Sequence, residues 1–256
     1  MWESLKGYIK PGSEEERLVR EIDMARLPRH IAVIMDGNGR WAARRGRARV
    51  EGHKAGSESV REAAETCARL GISYLTLYAF SKENWKRPRP EVIRLWRLLR
   101  DSLKTDGRLF MENNLRLTAI GQRPGIPRLV LKEIERLEKA TERNSRMTLI
   151  LALNYGGRAE ILEAVGRILR SRTVRPQDLD EEHFSGFLYT GGIPDPDLLI
   201  RTSGEMRVSN FLLWQIAYTE LWITPVLWPD FRRKDLFEAV VDYQKRDRRF
   251  GDVQSR

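Results

Sequence analysis

The sequence predicts an α/β fold: a single domain with a mostly parallel six-stranded sheet flanked by helices. Three observations carry that expectation. Short β-branched or apolar runs alternate with segments of helical periodicity along the chain. Clusters of Gly, Arg, Asn and Ser recur directly after the runs. No repeat, low-complexity tract or linker interrupts the alternation. Strands joined through helices need crossovers, which are right-handed and leave the strands parallel.

Each element has its own signature. HIAVIM (residues 30–35) reads as the first strand, ended by the turn residues Asp36-Gly37-Asn38-Gly39. Over residues 55–70, Val60, Ala63, Ala64, Cys67 and Leu70 fall on one helical face, and Gly71 closes that helix as a C-cap. YLTLYAF (74–80) is a strand apolar enough to be buried on both faces. A helix from about Pro90 carries Val92, Trp96, Leu99 and Leu103, and LRLTAIG (115–121) reads as the third strand. The next helix opens at Pro127 and carries Leu129, Val130, Ile134 and Leu137. MTLILAL (147–153) is the fourth strand, followed by a helix with Ile161, Leu162, Val165, Ile168 and Leu169. DLLIRTS (197–203) and LWIT (221–224) complete the strands, and residues 235–246 form a last helix. Residues 1–28 read as a helical or mobile segment before the domain proper, 29–256.

Composition narrows the partners. Hydrophobic residues make up 41% and charged residues 32% of the 256, which suits a globular chain rather than a disordered one. The single cysteine, Cys67, forms no internal disulfide and sits on an apolar helical stripe, consistent with a reducing compartment. No apolar run approaches the ~18 residues a membrane span requires. The early Glu14, Glu15 and Glu16 argue against a secretory signal, so a cytoplasmic location is expected. The net charge of +10 suits nucleic acid, an anionic membrane surface or phosphorylated metabolites equally. No nucleic-acid module is present, so no nucleic-acid partner is expected.

The polar clusters follow strand ends, where open parallel sheets place ligands. They are MDGNGRWA, SKENWKRP, NYGGR and RTSGEMRVSN. The glycines of Asp36-Gly37-Asn38-Gly39-Arg40 let backbone N–H groups approach an anion, and a helix can begin there. Asp36 beside a diphosphate would need a hard cation between them, a natural Mg²⁺ arrangement; the same residues are also ordinary turn chemistry. The segment has no third glycine of the dinucleotide fingerprint, and no Walker motif occurs. Arg49 and His53 extend the cluster, while Arg87, Arg201 and Arg207 offer forked donors suited to phosphate oxygens. His30 and His183 read as ordinary polar contacts. Glu220, within AYTELW, is a carboxylate in an apolar setting that either pairs with an arginine or binds a metal.

In this order, HIAVIMDGNGRWA, EGHKAG, TLYAFSKENWKRP, LNYGGR and DLLIRTSGEMRVSNFLLWQIAYTEL resemble the cis-prenyltransferases of the undecaprenyl diphosphate synthase type, from about Arg29 to Gly251. The resemblance implies a Mg²⁺-dependent transferase that adds isopentenyl diphosphate to an allylic diphosphate such as farnesyl diphosphate. The product would be a Z-polyprenyl diphosphate grown along a hydrophobic tunnel. It implies Asp36 as the central carboxylate and a Mg²⁺ ligand, with Glu220 as the second metal-linked carboxylate. Gly37, Asn38, Gly39 and Arg40 would hold the allylic diphosphate, with Arg49, His53 and Arg87 around it. Trp41, Ser81, Lys82, Glu83 and Trp85 would line the site or position substrate. Arg201, Arg207, Val208 and Ser209 would bind isopentenyl diphosphate.

Asn84 matches a position assigned as proton acceptor, yet a neutral carboxamide is a poor base and better suited to orienting a substrate. Met206 stands where some members carry a histidine, and a thioether supplies neither a Mg²⁺ ligand nor a proton relay. The resemblance further implies a homodimer in which Arg249 and Gly251 reach the partner's site, and contact with a membrane surface on product release. A non-catalytic partner subunit of the same fold is the alternative; it would be expected to lack part of the diphosphate set, which is complete here.

Overall fold

The computed structural model describes residues 4–171 and 174–247. Its elements run α1 (Glu14–Glu21), β1 (His30–Ile34), α2 (Asn38–Arg44), α3 (Arg49–Leu70), β2 (Tyr74–Ser81), α4 (Arg89–Glu112), β3 (Leu115–Ile120), α5 (Arg128–Ala140), β4 (Met147–Tyr155), α6 (Gly157–Ser171), α7 (Glu181–Gly186), β5 (Leu198–Arg201), β6 (Glu220–Ile223) and α8 (Arg233–Gln244). Short 3₁₀ turns cover Lys82–Lys86, Pro176–Asp178 and Trp228–Asp230. The six parallel strands lie in the order β3-β4-β2-β1-β5-β6. The expected α/β class and every expected strand are present.

The chain divides into two compact units. The first comprises Met1–Leu75, Pro196–Met206 and Tyr218–Arg256. Its β1 aligns Ile31 with Leu198 and Ile34 with Arg201 on β5, which in turn aligns Leu198 with Glu220 on β6. All five residues of β1 are buried, as a run without polar alternation requires when both faces are covered. Trp228 is 1% exposed, stacks on Phe231 and donates from Nε1 to the Gly56 carbonyl at 2.9 Å.

The second unit comprises Thr76–Asp195 and Arg207–Ala217. There β3 and β4 pair from Leu115↔Met147 to Ile120↔Ala152. Buried Val130, Ile134 and Leu137 of α5 and Val92, Trp96, Leu103 and Phe110 of α4 supply its core.

Two expectations change. Helix α3 begins at Arg49 rather than residue 55. Its Gly52 and Gly56, which look like helix breakers, permit close approach: a Cβ at Gly52 would stand 2.0 Å from the Asn38 carbonyl oxygen. Apolar α6 does not turn its leucines inward: Leu162 and Leu169 are 73% and 74% exposed, while Gly157, Glu160 and Ala164 are buried. Leu129 of α5 is likewise exposed. Residues 1–28 include a defined helix: Ser13 Oγ caps α1 by accepting from the Glu16 N–H, and Leu18 and Val19 are buried. Cys67 is fully buried, and burial pushes its thiol pKa up, away from reactivity. Among the described residues no helix is long and apolar enough to cross a membrane.

Candidate active site

In the first unit, the carboxyl ends of β1 and β5 bring Asp36 and Arg201 together. Gly37 follows Asp36 at φ +107°, a backbone state that favours glycine, and it starts α2 as its N-cap. A side chain there would also meet Leu227, whose Cδ2 would lie 2.9 Å from the added Cβ. The turn fixes the carboxylate: Gly37 N–H donates to Asp36 Oδ1 at 2.7 Å. Arg201 Nη2 donates to Asp36 Oδ2 at 2.9 Å, and Arg40 Nη2 does so at 3.3 Å. Arg40 also reaches Glu205 at 3.0 Å and the Ser203 carbonyl at 3.2 Å. Thr202 Oγ1 accepts from the Asp36 N–H at 2.9 Å and donates to the Asp36 carbonyl at 2.6 Å, locking the loop.

The cluster is cationic and half-wrapped. The Arg201 side chain is 5% exposed and that of Asp36 is 30% exposed. Arg49 passes over Gly39, where an added Cβ would meet its Nε at 3.0 Å. His53 lies half-buried on α3. Ser203 sits at φ +80°, and its buried Oγ has no hydrogen-bond partner among the described residues. Asn38 turns inward instead: its Nδ2 donates to the Met35 carbonyl at 3.2 Å.

Two further expected residues have partners of their own. Trp41 is 8% exposed, packs with Ala42 and Leu227, and donates from Nε1 to Asp230 at 2.7 Å. It therefore helps to hold α2 in place. Glu220 starts β6 opposite Leu198, whereas Asp36 lies beyond Ile34 at the other end of β1. At about 3.3 Å per residue the two are roughly 15 Å apart along the strands. Glu220 instead takes an ion pair from Arg246 at 2.9 Å. Of its two open readings the structure shows the arginine pair.

In the second unit, β2 ends in Ser81 and the 3₁₀ turn Lys82–Lys86. Asn84 Oδ1 accepts from the Ser81 N–H at 3.1 Å, so its carboxamide caps this turn. Trp85 Nε1 donates to Asn154 Oδ1 at 2.7 Å, and Asn154 Nδ2 donates to the carbonyls of Gln122 and Pro124. Arg87 pairs with Glu91 at 3.1 Å. Exposed Lys82 and Glu83 stand on the same turn, and Glu83 accepts from Asn210 Nδ2 at 2.8 Å.

The loop carrying Arg207, Val208 and Ser209 is clasped by the first turn of α6. Gly157 N–H donates to the Asn210 carbonyl at 2.7 Å, and Arg158 N–H donates to Asn210 Oδ1 at 2.9 Å. A Cβ at Gly156 would come within 2.7 Å of Asn210 Nδ2, so a side chain there would push the Asn210 carboxamide aside. Ser209, Asn210 and Leu212 all hold positive φ, a strain that persists only where surroundings enforce it. Tyr78 stacks on Phe211 at 4.4 Å beneath the loop, and burial followed by the Glu83 charge raises its hydroxyl pKa. Behind it lies buried Glu160, which accepts from the Tyr155 hydroxyl, the Tyr189 N–H and Gln215. Burial raises the Glu160 pKa against the lowering effect of those donors.

Thr202, Asn154, Asn210 and Glu160 are positioning residues that the sequence reading did not single out. Asn154 and Asn210 fall inside motifs already marked, NYGGR and RVSN, so adjacency to glycine-rich strand ends was the usable signal. Arg249 and Gly251 lie outside the described residues, and Met206 is 86% exposed between Glu205 and Arg207.

A divalent cation can be tested against these donors. Among the described residues no group of three or more His, Cys, Asp or Glu is disposed to hold a metal. A closed protein cage is therefore not offered. Mg²⁺ on a diphosphate asks for less: one carboxylate, substrate oxygens and water. The partly exposed Asp36, fixed by its own turn, fits that demand.

A carboxylate held between arginines at a glycine turn, on a parallel sheet, defines a class: an α/β protein built to handle phosphorylated anions. Comparison with known proteins makes it specific. The family model of undecaprenyl diphosphate synthases (Prenyltransf) matches residues 34–251. The chain is 53% identical over 250 residues to an isoprenyl transferase of Heliobacterium mobile, covering 96% of each chain. It is 48% identical over 229 residues to an isoprenyl transferase of Thermotoga maritima, covering 89% of this chain and 98% of that one. Among solved structures, lavandulyl diphosphate synthase from Lavandula x intermedia, in complex with dimethylallyl diphosphate, superposes with a TM-score of 0.86 at 38% identity. It covers 88% of this chain and 99% of that one. A probable undecaprenyl diphosphate synthase from Campylobacter jejuni gives a TM-score of 0.75 at 32% identity, with the same coverage of 88% and 99%. The chain belongs to the undecaprenyl diphosphate synthase family of cis-prenyltransferases.

Proposed function

We propose that this prenyltransferase condenses isopentenyl diphosphate with an allylic diphosphate, farnesyl diphosphate being the expected primer, to build a Z-polyprenyl diphosphate of the undecaprenyl class. The observation that carries the reading is the Asp36 carboxylate, oriented by Gly37 N–H and held by Arg201 and Arg40. That arrangement presents fixed cationic donors beside an anionic pivot, which suits a diphosphate leaving group.

The chemistry then balances as follows. The allylic C–O bond breaks with its electron pair going to the diphosphate. The π bond of isopentenyl diphosphate forms the new C–C bond, and the proton lost from the adjacent carbon passes to a diphosphate oxygen, leaving its C–H electron pair as the new double bond in the Z configuration. Mg²⁺, held by Asp36 and substrate oxygens, would neutralise charge on the departing diphosphate when bound. Gly37 to Arg40, with Arg49 and His53, bind the allylic diphosphate. Arg87, Arg201, Arg207, Val208 and Ser209 serve the diphosphates, with Ser81, Lys82, Glu83 and Trp85 positioning substrate. Asn84 acts by orientation, since its oxygen is already committed to the Ser81 N–H. A tunnel for the growing chain belongs to the same reading.

The enzyme acts in the cytoplasm as a homodimer, with Arg249 and Gly251 contributing to the partner's site. The α6 face of Leu162, Val165 and Leu169 supports a protein contact, because three exposed apolar side chains one turn apart favour being covered. The non-catalytic alternative is disfavoured by the complete set Asp36, Arg40, Arg87, Arg201 and Arg207. The test is incubation with farnesyl diphosphate and labelled isopentenyl diphosphate, with and without Mg²⁺. Absence of incorporation in the presence of Mg²⁺ overturns the reading.

A further inference from the structure

Just past β5 two consecutive residues lie in the left-handed region, Ser203 at φ +80° and Gly204 at φ +74°. Glycine takes that state freely, whereas a serine is strained in it and stays only where its surroundings enforce it. Those surroundings are mostly backbone. Ser203 N–H donates to the Val226 carbonyl at 2.7 Å, and Gly204 N–H donates to the Thr224 carbonyl at 2.8 Å. The Ser203 carbonyl accepts from Arg40 Nη1 at 3.2 Å, and Nη2 of the same guanidinium donates to Asp36 Oδ2 at 3.3 Å. One guanidinium therefore joins Ser203 to the central carboxylate, while the preceding Thr202 holds the Asp36 backbone. The side chain adds a second cost. Ser203 is 7% exposed, and its buried Oγ has no hydrogen-bond partner among the described residues. A buried hydroxyl in that state has given up water without a replacement.

A glycine at this position would carry neither cost, so packing does not account for the hydroxyl. The neighbouring side chains define what it can meet. Arg40 and Arg201 offer donors only, and the hydroxyl adds one more donor beside them. A ligand that takes several donors at once is an anion with several oxygens. We propose that Ser203 is a further substrate-binding residue, whose hydroxyl donates to a diphosphate oxygen beside Asp36. This rests on the reading that a diphosphate binds there, and it adds a neutral, directional donor to the charged ones. An arginine reaches its anion on a long stem, whereas Ser203 carries its hydroxyl on a backbone fixed at both N–H and carbonyl. The donor is in place before the ligand arrives, so the bond forms with little reorganisation.

Titration calorimetry of the full-length protein with inorganic pyrophosphate, with and without Mg²⁺, tests this on wild type, Ser203→Ala and Ser203→Gly. Thermal melts of the same three proteins without ligand run alongside. Both variants should bind pyrophosphate about 10-fold more weakly than wild type or worse, since each loses a hydrogen bond to a charged group. Neither should melt below wild type. Alanine removes the unpaired hydroxyl, and glycine also relieves the positive φ, raising the melt by up to about 4 °C. A packing role predicts the reverse: a lower melt with unchanged affinity. Wild-type affinity in the alanine variant overturns the proposal. So does a loss confined to the glycine variant, which would trace to the backbone rather than the hydroxyl, and so does a melt that falls in both variants. Wild-type protein that binds no pyrophosphate, with or without Mg²⁺, overturns the diphosphate reading itself and this proposal with it.

Discussion

Replacing Asp36 separates two roles that the sequence merges. As a loop carboxylate it reads as a metal ligand whose loss leaves the fold intact. In the structure it is also the partner of Arg201, whose side chain is 5% exposed. Removing one member of a buried ion pair costs about 3–5 kcal/mol, because the remaining charge stays buried. Asp36 is 30% exposed, so water can take over part of its function, and the expected cost falls to about 2 kcal/mol. At about 2–4 °C per kcal/mol for a chain of this size, Asp36→Ala should melt about 4–8 °C below wild type. Asp36→Asn keeps an oxygen toward Arg201 and should shift the melt by less than half of that. Both variants should lose at least about 10²-fold in kcat, as the charge beside the leaving group is gone in each. Circular-dichroism melts and initial rates with labelled isopentenyl diphosphate read the two effects separately. An asparagine variant with wild-type kcat, or an alanine variant with an unshifted melt, would refute the corresponding half of the argument.

Other outcomes follow from packing and charge. Gly52→Ala forces a methyl to within 2.0 Å of the Asn38 carbonyl, so it should destabilise by about 1–3 kcal/mol and lower turnover by displacing α2; an unshifted melt contradicts the close approach. Glu160 has its pKa raised above the usual 4.5 by burial, so its contribution is full below pH 4.5 and is lost as pH rises through the raised value. The melting difference between Glu160→Gln and wild type should therefore move in favour of the variant between pH 5 and pH 8, and a flat difference refutes that. Deleting residues 249–256 should weaken use of isopentenyl diphosphate more than it lowers the melt; full activity in the truncated protein, or activity as a monomer, removes the proposed trans-acting tail.

Much of the fold is legible from period alone. The buried runs of β1 and β4 have no polar alternation, and parallel strands covered on both faces read that way. Gly52 and Gly56 lower helix propensity at the start of α3, while their contact with Asn38 and Trp228 is a tertiary fact. Exposed Leu162 and Leu169 mislead for the opposite reason: apolar periodicity reports which face avoids water and not what covers it. At the site, glycine and arginine marked the right loops. The burial of Trp41 on α2 is not legible from its place beside a motif, because adjacency says nothing about which side of a helix a residue occupies. The pairing of Glu220 with Arg246 depends on strand register, set by Leu198↔Glu220, which residue spacing does not encode. Thr202, Asn154 and Asn210 act through backbone hydrogen bonds that no spacing encodes.

The central claim concerns the bond that is made, and product analysis reads it directly. Purified protein is incubated with farnesyl diphosphate, ¹³C-labelled isopentenyl diphosphate and Mg²⁺, and the dephosphorylated product is separated by reversed-phase chromatography and examined by NMR. The expected product is a series of chains lengthened by successive five-carbon units, with every newly formed double bond in the Z configuration. New double bonds in the E configuration, or recovery of unextended farnesol with no incorporated label, would contradict it.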